Sequence, residues 1–411
     1  MTDVVQVSVD DIERAAETVS HLALRTPMEG ARWLSALTGS RVNLKCENLQ
    51  RTGSFKIRGA YTRISRLSDE EKARGVVAAS AGNHAQGVAL AAQALGIKAT
   101  VFMPEGAPIP KENATRGYGA DVVFHGRYLE DSLAEAREFE ERTGAVLIHP
   151  FDNADIVAGQ GTCGLEILEQ VPDVETVVVP CGGGGLLSGI AIAVKAKRPQ
   201  VRLVGVQAAG AAAFPASLEA GRPVKLESMS TMADGIAVGL PGAVTFTAVR
   251  DLVDEIVTVS EGSLSRAVLT VLERAKMVVE PAGAAAVAAM IDDPSRFGTP
   301  TVAVLSGGNI DPLLLGKVIQ HGMAAAGRYL NLRLRIPDSP GGLAHLLGDI
   351  SQAGANVIEV SHARIDADLS LDEVEVHLQL ETRSETHALA VVATLRDHGY
   401  RATTLRLDEI E

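Results

Sequence analysis

Short apolar runs alternate with helical patterns along much of this chain, and this alternation limits the folds it can adopt more than any other feature. Seven runs rich in β-branched residues are predicted strands, at residues 76–79, 99–103, 121–124, 145–148, 176–179, 202–206 and 301–305. Near-continuous apolar strands of this kind are buried on both faces, as in parallel sheets covered by helices. Helical patterns lie between the first four runs, at residues 85–95, 111–118 and 129–142. The sequence therefore predicts an α/β protein with two parallel sheets and a cleft between them.

Composition and charge narrow the classes of function. Aromatic residues make up only 3% of the chain and 40 residues are glycine, which suits helices packed closely on a sheet. The net charge of −13 argues against nucleic acid or an anionic membrane as a partner. Cys46, Cys163 and Cys181 occur singly, so neither a disulfide framework nor a structural zinc site is predicted. With no secretory leader pattern and no apolar stretch of membrane length, the sequence predicts a cytoplasmic protein.

Residues 328–411 follow a different pattern. Residues 329–336 alternate between polar and apolar side chains, as in a half-exposed strand, and a helix opens at Pro340-Gly341. The remaining elements are predicted to be strands at residues 356–365, 373–380 and 401–407 and a helix at residues 385–398. This βαββαβ order predicts a ferredoxin-like domain. Residues 324–327 are the predicted junction with the preceding region.

One lysine is placed where a predicted helix begins. In residues 52–60 (TGSFKIRGA), Lys56 follows a Gly-Ser turn, and apolar residues recur after it at helical spacing. Ser54 is predicted to cap this helix through its hydroxyl, which places Lys56 in the first turn. A cation there opposes the helix dipole, so a neutral amine or a covalent imine is favoured over an ammonium. The alternative is a solvated lysine at a helix start.

Four successive glycines lie between a predicted strand and a predicted helix. Gly182 to Gly185 follow the strand at residues 176–179 and precede a helical run. Glycines allow backbone N–H groups to approach an oxyanion beside the positive end of a helix, so phosphate is the predicted ligand. The run fits neither a P-loop nor the dinucleotide fingerprint, which disfavours ATP or NAD. A flexible glycine-rich turn is the alternative.

Two further strand ends carry polar residues. Residues 80–87 (SAGNHAQG) combine small residues, whose backbone donors could bind a carboxylate, with the Asn83 amide, which could bond a ring oxygen. His84 by itself fits a structural histidine better than a catalyst. Ser306 lies at a strand end, where α/β sheets bind ligands, although a simple turn serine is the alternative. Together with Lys56 and the glycines, these groups predict a phosphorylated carbonyl cofactor held as a Schiff base.

These motifs follow one another in an order that resembles a known family. They occur at residues 45–60, 80–87, 158–162, 182–186, 280–284 and 306–309. In this order the chain resembles the threonine ammonia-lyases (threonine dehydratases) of the fold type II pyridoxal 5′-phosphate (PLP) enzymes. The resemblance covers residues 5–325 and implies a tryptophan synthase β-like catalytic region at residues 1–325, with a small subdomain at about residues 50–150 inserted in a larger one. The C-terminal unit, residues 328–411, resembles an ACT domain, a regulatory amino-acid-binding module.

The resemblance also implies roles for individual residues. Lys56 would hold PLP as a Schiff base and then remove the Cα proton of the substrate. Asn83 would bond the phenolic oxygen of the cofactor. Ser306 would face its pyridine nitrogen, where serine stabilises a protonated ring less than aspartate does. The other cofactor-binding residues would be Phe55, Gly182, Gly183, Gly184, Gly185 and Leu186, and the substrate carboxylate would lie among Ser80, Ala81, Gly82, Asn83 and His84.

The implied reaction is β-elimination of water from L-threonine to give 2-oxobutanoate and ammonia, and L-serine would give pyruvate. Serine racemases of this family carry a proton-donating serine where this chain has Ala81, so racemisation is predicted to be poor. Some relatives bind a divalent cation through an acidic residue in the segment that corresponds to residues 205–210, where Gln207 is neutral, so no metal site is predicted. Glu280 could face either the site or solvent.

Several alternatives stay open. The chain could be an ammonia-lyase for L-serine or threo-3-hydroxyaspartate, a β-replacement enzyme, or a catalytically silent amino-acid sensor. The predicted partners are an amino-acid substrate and a branched-chain amino acid, isoleucine or valine, as effector at the ACT-like unit, whose alternative role is subunit contact alone. A homodimer or homotetramer is expected. The sequence does not decide between isoleucine biosynthesis and amino-acid breakdown.

Overall fold

A computed structural model describes residues 7–363 and 372–405 of the chain. The chain divides into two compact units, Met1–Leu315 and Gly316–Glu411. Each unit has a hydrophobic core of its own. Within the described residues, no helix combines the length and the apolar character needed to cross a bilayer.

The first unit contains two sheets. Their strands are β1 (Met28–Gly30), β2 (Val42–Cys46), β3 (Val76–Ala79), β4 (Ala99–Met103), β5 (Asp121–Phe124), β6 (Val146–Leu147), β7 (Thr176–Pro180), β8 (Arg202–Ala208), β9 (Glu255–Val259) and β10 (Thr301–Leu305). The six-stranded sheet has the order β1-β2-β10-β7-β8-β9, and its neighbours are parallel except β1, which is antiparallel to β2. The four-stranded sheet has the order β5-β4-β3-β6 and is parallel throughout. Its strands lie in the chain between β2 and β7.

Helices pack around both sheets. They are α1 (Val9–Val19), α2 (Arg32–Thr38), α3 (Lys56–Ser65), α4 (Asp69–Arg74), α5 (Asn83–Ala94), α6 (Ile109–Gly117), α7 (Leu129–Thr143), α8 (Ala154–Gln170), α9 (Gly185–Lys197), α10 (Ala213–Ala220), α11 (Ala243–Leu252), α12 (Glu261–Ala275), α13 (Pro281–Asp292) and α14 (Pro312–Ala325). Helix α3 packs on both α5 and α8, and α8 packs on α9. The boundary between the two units falls within α14.

The apolar runs correctly located seven strands, β3 to β8 and β10, with ends that differ by at most two residues. Strands β1, β2 and β9 were not predicted. β2 has a half-polar sequence in which Lys45 is fully buried, because Glu166 accepts a hydrogen bond from its ammonium over 2.5 Å. β1 has only three residues, and β9 is an edge strand that starts with Glu255. A search for apolar runs misses strands of these kinds.

The prediction that Ser54 caps helix α3 is wrong. The helix begins at Lys56, and Phe55 occupies the N-cap position without a side-chain hydrogen bond. Ser54 is instead extended and forms a β-bridge with Gly307. Its hydroxyl is buried and finds no hydrogen-bond partner among the described residues. Pairing with the strand end after β10 therefore replaces local capping at this point of the chain.

The second unit has the element order βαββαβ. Its elements are β11 (Tyr329–Pro337), α15 (Gly342–Gln352), β12 (Asn356–Ala363), β13 (Glu373–Glu381), α16 (Glu385–Asp397) and β14 (Thr403–Leu405). The sheet has the order β12-β13-β11-β14, and all its neighbours are antiparallel. Its apolar face and the two helices enclose one core. The predicted strands at residues 356–365 and 401–407 each extend beyond the described residues, at residues 364–365 and 406–407.

Candidate active site

The predicted site residues lie at the carboxyl ends of neighbouring strands in the first unit. In the small sheet, the segment that begins at Ser80 follows β3, and the next strand, β6, leads into residues 148–153. In the large sheet, the glycine run that begins at Gly182 follows β7, and Ser306 follows the adjacent strand β10. Parallel strands bring their carboxyl ends to a common edge, which is where α/β sheets bind ligands.

Lys56 contacts the segments that follow β6 and β3. Its ammonium donates a hydrogen bond to the main-chain oxygen of Pro150 over 3.0 Å and lies 5.2 Å from the ring centroid of Phe55. Helix α5 packs directly on it at Gly87, where an added Cβ would lie 3.2 Å from the Lys56 carbonyl carbon. Burial lowers the pKa of Lys56 to about 8, against the opposing charge of Glu280. The amine is therefore much closer to neutrality than a surface lysine.

Asn83 lies between two side chains at the start of helix α5. Its Nδ2 donates to Glu280 Oε1 over 2.6 Å, and its Oδ1 accepts from Asn309 Nδ2 over 2.7 Å. Glu280 is buried, so it faces the site and not solvent. Burial raises the pKa of Glu280 to about 7, and the nearby charge of Asp234 acts in the same direction. The sequence could not decide how Glu280 is oriented, and tertiary packing does.

His84 has a structural contact. Its Nε2 lies 2.7 Å from the main-chain oxygen of Ile148, and burial lowers the pKa of its imidazole to about 3. A neutral imidazole donates to a carbonyl through Nε2–H. The single N–H of the neutral ring is therefore already donated to Ile148, so any hydrogen bond from His84 to a substrate carboxylate would come from its main chain. In the same loop, the N–H of Gly82 donates to Ser80 Oγ over 3.1 Å.

The glycine run forms a close-fitting turn before helix α9. Gly184 has a φ of +95°, and an added Cβ would lie 2.8 Å from Phe214 and 2.9 Å from Thr245. The Thr245 hydroxyl donates to the main-chain oxygen of Gly183 over 2.6 Å and fixes the turn. Leu186 has its side chain buried in the core, so only its main chain could meet a ligand. A glycine turn of this kind before α9 is suited to present backbone N–H groups to an anion.

Sequence reasoning missed the segment at residues 149–152. Pro150 supplies the acceptor for Lys56, and the ring of Phe151 covers Gly183, where an added Cβ would lie 2.5 Å from the ring. Asp152 accepts hydrogen bonds from two main-chain N–H groups at the start of α11, over 2.9 and 2.8 Å. The signal that could have indicated this segment is its position, because it follows β6, the strand next to β3 in the sheet.

A second feature that the sequence did not indicate is an ion pair between Lys111 on α6 and Asp234. Its nitrogen and oxygen are 2.5 Å apart. An added Cβ on Gly82 would lie 4.0 Å from the Lys111 nitrogen, so this cation is close to the predicted carboxylate loop. Asp234 is followed by Gly235, where an added Cβ would lie 3.6 Å from Glu280 Oε1, so the pair connects α6 with the segment next to Glu280.

Helix α3 is held in place by buried charges. The Arg58 guanidinium donates to both carboxylate oxygens of Glu47, each over 2.8 Å, and to Glu166 over 2.7 Å. Lys45 completes the cluster through Glu166 on α8. Burial would raise the pKa of Glu47, but the Arg58 charge and hydrogen bonds hold it below its ordinary value. Two cations and two carboxylates thus fix the helix that begins with Lys56.

Gln207 lies in the segment through which some relatives are expected to bind a divalent cation. In this chain its side chain contacts the protein itself. Its Oε1 accepts from the Phe214 N–H over 2.9 Å, and its side chain is fully buried. Over residues 7–363 and 372–405, no group of three or more His, Cys, Asp or Glu side chains is arranged to hold a metal ion. The carboxamide has a structural role here, fixing the turn before α10.

The residues present fit PLP. A lysine amine with a lowered pKa is a suitable partner for a carbonyl carbon. The turn at Gly184 has no room for a side chain, because an added Cβ would contact Phe214 at 2.8 Å. Its backbone N–H groups are the kind of donors that suit a phosphate. The buried hydroxyl of Ser54, two residues before Lys56, lacks a partner within the described part of the chain. An amide at Asn83 and a hydroxyl at Ser306 complete a donor set for a polar ring.

Comparison with known proteins gives the same picture. The family model described as pyridoxal-phosphate dependent enzyme matches residues 19–307. L-threonine ammonia-lyase of Thermotoga maritima is 46% identical over 394 residues, covering 96% of this chain and 98% of the relative. Among solved structures, threonine deaminase isoform 2 of Solanum lycopersicum superposes with a TM-score of 0.73 at 38% identity, covering 77% of this chain and 94% of that chain. Maize serine racemase gives 0.73 at 37%, covering 76% and 97%. The chain therefore belongs to the pyridoxal-phosphate dependent enzyme family.

Proposed function

We propose that this chain is an L-threonine ammonia-lyase, which converts L-threonine to 2-oxobutanoate and ammonia. The observation that carries this proposal is the position of Lys56, whose amine has a lowered pKa and lies between the segment after β6 and the start of α5. Its support from relatives is the L-threonine ammonia-lyase of Thermotoga maritima, which matches over nearly its whole length.

PLP would be held by Lys56, by the backbone of Gly182 to Leu186, by the Asn83 amide and by the Ser306 hydroxyl, with Phe55 beside the amine. When bound, PLP supplies an electron sink that acidifies the Cα–H of the amino acid. The other requirements fall on the chain's own side chains and backbone.

Lys56 is the base in this proposal. A pKa of about 8 leaves roughly a tenth of the amine neutral at pH 7 and about half of it neutral at pH 8, so the amine can accept the Cα proton. The substrate carboxylate would lie at the loop of Ser80, Ala81 and Gly82, before helix α5, where backbone donors and the helix dipole favour an anion. Loss of the Cα proton and of the β-hydroxyl removes one water from L-threonine. Addition of water then releases ammonia and the 2-oxo acid.

Charge and side-chain chemistry rank the alternative substrates. Glu280 places a buried carboxyl group next to the site, and in its ionised form it disfavours the second carboxylate of 3-hydroxyaspartate. L-serine differs from L-threonine by one methyl group, so we expect slower conversion of L-serine to pyruvate. Maize serine racemase has a similar structure, but Ala81 offers no proton to the opposite face of the substrate. Elimination is therefore favoured over racemisation.

The test compares the turnover of L-threonine, L-serine and threo-3-hydroxyaspartate by the purified PLP-loaded enzyme. Formation of 2-oxobutanoate from L-threonine, at the highest kcat/KM of the three, is the expected result. A higher kcat/KM for another substrate would change the assigned reaction. Protein that binds PLP but turns over none of the three would point to the amino-acid sensor.

The second unit is proposed to be an ACT-like regulatory domain. Its element order and antiparallel sheet support this, together with the αL conformation of Gly341 at the start of α15. Isoleucine or valine bound there would change the activity of the enzyme, in keeping with a role in isoleucine biosynthesis. Kinetics with and without each amino acid, on the full chain and on a chain lacking residues 328–411, test this role. An unchanged response in the shortened chain would place the effector elsewhere.

The proposal includes a cytoplasmic homodimer or homotetramer. The three cysteines are free and buried, and burial raises the pKa of all three thiols, to about 12 for Cys46, so they are unreactive. Sedimentation velocity of the purified protein separates the dimer from the tetramer.

A further inference from the structure

Three hydrogen bonds link the turn before Lys56 to Glu280 through two asparagines. Asn309 Nδ2 donates to the main-chain oxygen of Thr52 over 2.6 Å and to Asn83 Oδ1 over 2.7 Å. Asn83 Nδ2 then donates to Glu280 Oε1 over 2.6 Å. Sequence reasoning assigned a role to Asn83 but none to Asn309.

The Thr52 carbonyl sets the direction of this chain of hydrogen bonds. The two ends of an amide side chain are hard to distinguish by shape, but a main-chain carbonyl can only accept a hydrogen bond. Asn309 must therefore turn its nitrogen toward Thr52, and the second hydrogen of that nitrogen points to Asn83. Asn83 can accept it only through Oδ1. Its own nitrogen is thereby directed to the opposite side, toward Glu280.

The backbone around Asn309 is built to hold this arrangement. Thr52 has a φ of +64°, which is rare for a β-branched residue, and this turn presents its carbonyl to Asn309. An added Cβ on Gly53 would lie 2.3 Å from Asn309 Oδ1, so the next position has no room for a side chain. The N–H of Gly308 donates to the main-chain oxygen of Gly53 over 2.9 Å, which fixes the two segments together.

We propose that Asn309 is a positioning residue that fixes the orientation of the Asn83 amide, so that Asn83 Nδ2 and not Oδ1 faces the cofactor's phenolic oxygen. An amide nitrogen has two hydrogens, and Glu280 takes one of them. The second is available to an oxygen of the ligand. This inference rests on the proposed assignment of Asn83 to the cofactor.

The variant Asn309→Asp tests the inference with little change of shape. A carboxylate cannot donate to Thr52 or to Asn83, so the Asn83 amide is expected to turn over and present its oxygen to the cofactor. The dissociation constant for PLP, measured by titration of cofactor-free protein, should rise about tenfold or more, because a hydrogen bond is lost and two acceptors face each other. The visible absorption maximum of the bound cofactor should also shift. Asn43→Asp, on β2, is the matched control and should change neither quantity.

A double-mutant cycle separates orientation from general damage. If Asn309 acts through Asn83, the change Asn309→Asp should have little further effect on PLP binding in an Asn83→Ala background. A full additive effect there, or unchanged PLP affinity and spectrum in the single variant, would overturn the inference. If the aspartate variant does not fold, Asn309→Ala, which also removes the donor to Asn83 Oδ1, replaces it and should weaken PLP binding in the same direction. These readouts do not depend on the substrate, so failure of the proposed reaction would be seen separately.

Discussion

The ammonium of Lys56 donates its hydrogen bond to the main-chain oxygen of Pro150, 3.0 Å away, and not to a carboxylate. A neutral carbonyl compensates little for the loss of water, so burial dominates and lowers the pKa of the lysine to about 8. The charge of Glu280 raises the pKa of Lys56, but by less than burial lowers it. Burial thus keeps a fraction of the amine neutral and available as a nucleophile and as a base.

Replacing Lys56 with alanine removes both the attachment point of the cofactor and the proposed base. We expect Lys56→Ala to lose the visible absorption band of the lysine-bound cofactor and to lose activity by at least about a thousandfold. Absorption spectra and 2-oxobutanoate formation measure the two effects. Lys98→Ala, at an exposed lysine paired with Asp121, is the control and should behave like the unchanged enzyme. Substantial turnover by Lys56→Ala would refute the assignment.

Binding of PLP to cofactor-free protein should depend on pH. Because only a neutral amine can attack the carbonyl carbon, the rate should rise with pH and level off above about 8, well below the usual lysine value of 10.5. Glu280 raises the pKa of Lys56, so Glu280→Gln should move the midpoint to lower pH. Stopped-flow absorbance across pH 6 to 10 gives both curves. A midpoint near 10.5 would mean that the amine is solvated.

A single methyl group at Gly184 should disrupt the turn. Its φ of +95° is strained for any other residue, and an added Cβ would lie 2.8 Å from Phe214. Gly184→Ala is expected to weaken PLP binding at least about tenfold, since the turn must move. Gly221→Ala provides the comparison, because Gly221 has a similar φ of +66° but nothing within 4 Å of an added Cβ. Equal PLP affinities in the two variants would show that crowding at the turn is unimportant.

The buried charge cluster should contribute strongly to stability. Arg58→Met removes the cation that is hydrogen-bonded to the buried carboxylate of Glu47, and breaking a buried pair in this way costs about 3–5 kcal/mol in free energy of unfolding. Urea unfolding of the first unit can be followed by the single tryptophan, Trp33. Arg66→Met, which removes a partly exposed partner of Asp155, should cost less than about 1 kcal/mol. A similar cost for both variants would contradict this account.

Ala81 is predicted to limit the reaction to elimination. Ala81→Ser adds a hydroxyl that can donate a proton, so formation of D-serine from L-serine should rise about tenfold or more. Chiral chromatography of the product mixture measures this formation. Ala81→Gly, which changes size without adding an acid, should leave it unchanged. If all three proteins form D-serine equally, another group supplies the proton.

The strands show how far a local sequence pattern determines structure. The runs at residues 176–179 and 301–305 predicted β7 and β10 because central parallel strands are apolar throughout. Strand β2 was not predicted because it contains Lys45, and the burial of this lysine depends on Glu166, which is far away in the chain. Ser54 was assigned to a helix cap from its neighbours alone. Its β-bridge to Gly307 comes from a segment that no local pattern connects to it.

By itself the sequence determined the chemistry of this protein, because the residue types in the motifs of Lys56, Asn83, Gly182 to Gly185 and Ser306 suit only a few ligands and come in a particular order. Tertiary structure alone decided how these groups are tuned. The direction of Glu280, the carbonyl that meets Lys56 and the amide orientation that Asn309 imposes on Asn83 are all contacts between distant segments. Such contacts depend on how strands and helices pack, and local sequence patterns do not contain that information.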